Sequence, residues 1–148
     1  MAKCIITVSV LCVLAAVAVR GEFDKKAAMA DFVAKSDSCK AEVGAKEADV
    51  AEMMAKKPAS TAEGKCLRSC VMKMYEVMDT QGKFVSSVAL QHAETYSDGA
   101  ADQMKMAQEI IDACSGIAVP SDHCEAAEEY GKCFMEQAKA HGLSEFKM

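Results

Sequence analysis

Six cysteines, Cys39, Cys66, Cys70, Cys114, Cys124 and Cys133, constrain the fold of this 148-residue chain more than any other feature. Two more, Cys4 and Cys12, lie in an N-terminal segment of a different kind. Lys3 gives that segment a short positive start, and Cys4 to Val19 is a sixteen-residue uncharged run. Arg20 and Gly21 end it, and every Asp and Glu lies beyond. This is the pattern of a secretory signal peptide. Sixteen apolar residues fall short of the roughly 20 that a membrane-spanning helix needs. Cleavage is expected after Gly21, with Ala18 as the competing site, so residues 22–148 form the predicted domain. An even set of six cysteines in a secreted chain of that size implies a disulfide framework. No later segment is apolar enough to span a membrane, so no stable membrane insertion is expected.

The apolar pattern between the cysteines is helical throughout. Met29, Phe32, Val33 and Ser36 follow i, i+3, i+4, i+7 spacing. A second, shorter helix is predicted over Lys46 to Ala55, ended by Lys56-Lys57-Pro58-Ala59. Ser60 with Glu63 has the form of a capping box for a third. That helix shows the strongest stripe, Leu67, Val71, Met74 and Met78, with Lys65, Arg68, Lys73 and Glu76 off it. Asp79-Thr80-Gln81-Gly82-Lys83 reads as a turn. Phe84 to Ala93 reads as a helix with Val88 inward, and another starts at Ser97-Asp98-Gly99 and carries Ile110 and Cys114. Asp122 with Glu125 caps the last helix, which buries Ala127, Tyr130, Phe134 and Ala138. No run alternates well enough for a strand.

Helix geometry trims the fifteen possible pairings of six cysteines. Cys66 and Cys70 lie one turn apart on a single helix, where a direct bridge would strain the bond. Cys124 and Cys133, nine residues apart, face opposite sides of theirs. Excluding both bridges leaves ten pairings open. In all of them the last helix is stapled on two faces and the Cys66/Cys70 helix is stapled twice. Such a shell stays rigid even where its interior is not fully packed.

Composition removes several function classes. Loss of the leader takes the net charge from −5 to −7, which excludes a basic nucleic-acid footprint. With six cysteines bridged, no thiolate nucleophile remains. No glycine-rich phosphate loop, G-x-S-x-G or H-E-x-x-H motif occurs, so neither an enzyme, a cofactor nor a metal site is expected. Glu128-Glu129 reads as a solvated face, and His92, His123 and His141 as solvated surface histidines. Residues 22–148 carry ten Met against eight aromatics. Met is flexible and polarizable and suits surfaces that accept varied apolar shapes.

From Cys39 to Cys133 the spacing is C-x26-C-x3-C-x43-C-x9-C-x8-C, in an acidic, helical chain. This resembles the insect odorant-binding proteins of the pheromone- and general-odorant-binding family, six-cysteine type. The x3 and x8 gaps are the most diagnostic. Lys65-Cys66-Leu67-Arg68-Ser69-Cys70 followed by Asp79-Thr80-Gln81-Gly82-Lys83-Phe84 also resembles the family's central helix and turn. The resemblance implies an all-α fold of about six helices around an apolar cavity. It further implies bridges Cys39–Cys70, Cys66–Cys124 and Cys114–Cys133, and a cavity-wall role for Phe134, the residue after the sixth cysteine. The fifteen residues after Cys133 are too short and polar for the buried extra helix of moth-type pheromone carriers. A pH-driven tail insertion is therefore not expected.

These readings converge on a secreted, extracellular carrier of small hydrophobic ligands such as odorants or pheromones, delivering them toward a nearby odorant receptor. The expected wall comprises Leu67, Val71, Met74, Met78, Val88, Ile110, Tyr130 and Phe134, with Phe146 closing it. A monomer or weak homodimer is expected. The alternatives are a non-sensory carrier in haemolymph, saliva or reproductive fluid and, further off, a membrane-active defence protein, against which the acidity argues.

Overall fold

The fold is that of a computed structural model, which describes residues 23–143. The signal segment and Phe146 lie outside the described residues. Six helices follow in order: α1 Lys25–Val43, α2 Glu47–Met54, α3 Ala62–Met74, α4 Ser86–Ser97, α5 Ala101–Ser115 and α6 His123–Ala140. Among the described residues the only β pairing is an isolated antiparallel bridge between Met78 and Phe84. None of the described helices is long and apolar enough to cross a membrane.

Local chemistry sets the boundaries. Asp24 caps α1 by accepting from the Ala27 N–H at 3.0 Å, and Gly44 ends it in the left-handed region at φ 72°. The α3 cap differs by one residue from the sequence expectation. Thr61, not Ser60, accepts from the Gly64 N–H at 2.9 Å. Ser60 turns back instead and donates its hydroxyl to Glu52 at 2.6 Å. Asp122 caps α6 by accepting from the Glu125 N–H at 2.9 Å, but the Glu125 carboxylate pairs with Lys65 across the fold at 3.0 Å. A residue three positions into a helix can close a capping box or reach a cation; here the cation wins.

The strongest apolar stripe outruns its helix. α3 ends at Met74, Glu76 takes φ 59°, the chain bends at Val77, and Met78 pairs with Phe84 in the isolated bridge. Asp79 then folds the turn by accepting from the Gln81 and Lys83 N–H groups at 2.8 and 2.9 Å. Gly82 completes it at φ 75°, and an added Cβ there would meet the His123 ring at 2.6 Å. Only glycine satisfies both demands. α4 starts two residues later than expected, and Asp98 and Gly99, expected to begin α5, instead link the two helices at φ 50° and 71°.

The disulfides are Cys39–Cys70, Cys66–Cys124 and Cys114–Cys133, with Cα separations of 5.7, 4.4 and 5.7 Å. They tie α1 to α3, α3 to α6 and α5 to α6. The packed interior forms two clusters. One gathers Cys39, Leu67 and Val71 between α1, α2 and α3. The other gathers Met78, Ala126, Ala127 and Tyr130 where the turn lies on α6.

Candidate ligand-binding site

Between these clusters lies a cavity of about 990 Å³. One face of each surrounding helix turns toward it. From α4 come Ala89, His92, Ala93 and Tyr96, at i, i+3, i+4, i+7. From α5 come Gln103, Met106, Ala107, Ile110 and Ile111 in the same rhythm. α3 contributes Arg68, Val71 and Met72, and α6 contributes Ala127, Gly131, Phe134 and Met135. Phe32 of α1, Met53 of α2 and Phe84 of the turn complete the apolar part. Helix periodicity thus does two jobs: one stripe per helix faces in, yet opposing stripes do not meet. Small residues explain part of the gap. Ala89, Ala93 and Ala107 reach little, and a Cβ built on Gly131 finds no atom within 4 Å.

The expected wall residues divide into groups. Val71, Ile110 and Phe134 line the cavity. Leu67, Met78 and Tyr130 are fully buried in the packed clusters beside it. Val88 is half-buried on α4, one position off the lining stripe. Met74 differs from expectation: it is 40% exposed and lines a separate, more open groove of about 850 Å³ beside Cys66, Cys70 and His123. The physical reason is the end of α3 at that residue, after which the chain turns away and no partner helix covers it.

Glu128 differs from the solvated face expected of Glu128-Glu129: it is 1% exposed. Its two oxygens accept from Arg68 Nη1 and from the Ala59 N–H, both at 3.0 Å. Arg68 Nη2 also donates to the Lys57 carbonyl, so one guanidinium pins the α2–α3 link to α6. Glu129 pairs with Lys132 at 3.2 Å at the surface.

An aromatic chain joins α1, the end of α3 and α4. Phe32 stacks on Tyr75 with centroids 6.4 Å apart, Tyr75 meets His92 edge-on at 5.7 Å, and Phe23 meets Tyr96 at 4.7 Å. The Tyr75 hydroxyl donates to Asp31 at 2.9 Å. Burial and that bond push the phenol well above its usual range, so it stays protonated. Hydrogen bonds from Lys35 and Tyr75 hold the Asp31 carboxyl below its ordinary value.

All three histidines depart from the solvated reading. His92 Nε2 donates to the Tyr75 carbonyl at 2.9 Å, which fixes its tautomer because a carbonyl only accepts. His123 Nδ1 lies 2.8 Å from Lys73 Nζ, and His141 lies 3.7 Å from Glu109. Each is half-buried.

Comparison with known proteins agrees with this architecture. The PBP/GOBP family model matches residues 22–137. General odorant-binding protein 28a of Drosophila melanogaster is 49% identical over 121 residues, covering 82% of this chain and 85% of that protein. General odorant-binding protein 19d of the same fly is 39% identical over 108 residues, or 73% of this chain and 72% of that one. The solved structure of Drosophila melanogaster odorant-binding protein dmelOBP28a superposes with TM-score 0.73 at 48% identity, over 81% of this chain and 99% of that chain. The fatty acid binding protein OBP56a from the oral disk of the blowfly Phormia regina shares the fold alone, with TM-score 0.65 and 16% identity over 81% of this chain and 99% of that chain. Sequence, disulfide pairing and helix arrangement agree: the chain belongs to the PBP/GOBP family.

Proposed function

We propose that this protein is exported by cleavage of residues 1–21 and carries small hydrophobic molecules through extracellular fluid. The observation that carries the reading is the 990 Å³ cavity whose walls are mostly Ala, Ile, Met, Phe and Val side chains. A ligand entering it leaves water, and burial of its apolar surface drives binding at roughly 25 cal/mol per Å² before the costs of association. Val71, Ile110 and Phe134 form the contact wall in this reading, while Leu67, Met78 and Tyr130 hold the frame around it. His92, Tyr96 and Gln103 supply the few polar groups that orient a guest. The Drosophila relatives are named as odorant-binding proteins, which supports volatile odorants or pheromones as guests and a nearby receptor as the destination.

The test is titration of oxidised residues 22–148 with the apolar dye N-phenyl-1-naphthylamine. One saturable site, lost in Ile110→Trp while helical circular dichroism is kept, is the expected result. Absence of saturable binding by the folded protein contradicts the proposal. Amino-terminal sequencing of the secreted protein tests the cleavage, with Glu22 expected first.

A further inference from the structure

The three bridges differ in how they meet solvent. In Cys39–Cys70 and Cys114–Cys133 one half is sealed: Cys39 and Cys114 are each 0% exposed. In Cys66–Cys124 neither half is sealed, and both line the open groove of about 850 Å³. Thiol exchange needs a thiolate to reach one sulfur while the other departs as a thiolate. A sealed half is a poor leaving group, because apolar burial raises the pKa of its thiol. Cys39, packed with Leu67 and Val71, is in that position. Cys70 also lines the groove, but the Glu42 carboxylate lies 3.7 Å from its sulfur and repels an approaching thiolate.

The two sulfurs of Cys66–Cys124 are not equivalent. Cys124 is the second residue of α6, an 18-residue helix. The positive end of that helix, with Lys73 on the same groove, favours a thiolate on Cys124. Of the carboxylates on the groove, Asp122 is engaged by the Glu125 N–H, and Glu42 is exposed to solvent, which screens it. Cys66 is the fifth residue of α3, beyond its first turn, and has no such help. A thiol of lower pKa leaves faster, so attack falls on Cys66 and Cys124 departs.

We infer that Cys66–Cys124 is a thiol-exchange site, at which a small thiol such as glutathione forms a mixed disulfide with Cys66. The attacking thiol gives its proton to solvent. Its sulfur bonds to Cys66 Sγ as the Cys66–Cys124 bond breaks, and the electron pair leaves on Cys124 Sγ. One disulfide replaces another, so no oxidant or reductant is consumed. The step reverses when the Cys124 thiolate expels the small thiol. Exchange unties α3 from α6, whose Val71 and Phe134 line the cavity, and leaves the other two bridges closed. This chemistry is independent of what the cavity carries.

Timed exposure of the folded, oxidised protein to dithiothreitol at pH 7.5, followed by acid quenching, alkylation with N-ethylmaleimide and peptide mass mapping, identifies the first bridge to open. Cys66–Cys124 is expected to open about tenfold faster than either of the others. Parallel exposure to excess glutathione identifies the sulfur attacked, with glutathione expected on Cys66 and maleimide on Cys124. Another bridge opening first, or all three opening together, overturns the inference. So does glutathione on Cys124 in place of Cys66, or no adduct on Cys66.

Discussion

The α3–α6 pair and the α4–α5 pair enclose the same cavity but are built differently. α3 and α6 are joined by Cys66–Cys124, by the buried Arg68–Glu128 pair and by Lys65–Glu125. Leu67, Val71, Ala126, Ala127, Glu128 and Tyr130 are buried along them. α4 holds no disulfide and no fully buried residue, and Tyr96 on it is 47% exposed. α5 is anchored only toward its end, by Ile110, Ile111 and Cys114. One wall is thus braced by a bridge between its two helices and by buried charge, and the other by the single Cys114–Cys133 bridge at the end of α5 and by the aromatic contacts of α4. A carrier needs both kinds of wall. Rigidity preserves the hollow, and a lightly held side lets guests in and out at small cost.

The largest way to break this contrast is to remove the brace. Cys66→Ala with Cys124→Ala opens a bridge of sequence separation 58 and is expected to cost about 4 kcal/mol in the chain-entropy view. Cys114→Ala with Cys133→Ala opens one of 19 and should cost about 3 kcal/mol. Urea unfolding of the oxidised variants measures both, and the reverse order would deny α3–α6 its role as the stiff wall. Next comes the buried charge. Glu128→Ala leaves Arg68 without its anion and is expected to cost about 3 kcal/mol. Glu129→Ala, at the surface, should cost less than about 0.5 kcal/mol. Similar losses in the two variants would show that Glu128 is not buried in solution.

Acid should loosen the α2–α3 junction. Hydrogen bonds from the Thr61 hydroxyl and the Lys46 N–H hold the Asp49 carboxyl below its ordinary value of 3.8. A depressed carboxyl contributes stability that is present above that value and is lost as pH falls through the folded one. Thermal unfolding of Asp49→Asn should therefore be less sensitive than the parent between pH 4 and lower pH, and equal slopes would remove Asp49 from the account. The smallest expected effect is a gain. Gly131→Ala improves helix propensity in open space and should stabilise by about 0.5–1 kcal/mol. A loss there would mean that the space beside α6 is filled.

Much of the frame was legible in the sequence. The i, i+3, i+4 rhythm located the helices, and the cysteine gaps pointed through resemblance to the observed pairing. What sequence did not reveal follows from what periodicity measures. An apolar stripe says which face turns inward, but not whether that face meets a neighbour, as Leu67 does, or a void, as Ile110 does. It does not register where a helix stops, so the stripe groups Met74 and Met78 with Leu67 although the helix ends at Met74. Adjacent charges such as Glu128-Glu129 look solvated until a distant Arg68 is brought to one of them. The α4 wall carried a signal that could have been used: Ala89 and Ala93 with His92 and Tyr96 repeat at helical spacing, and small residues on an inward face mean room.

The central claim is that the interior admits a guest, and crystallography of the oxidised protein with 12-bromododecanoate tests it most directly. Anomalous scattering is predicted to place the bromine between Val71, Ile110 and Phe134, inside the shell. Bromine found only in the open groove beside Met74 and His123, or at no ordered position in crystals of folded protein at saturating ligand, would contradict it.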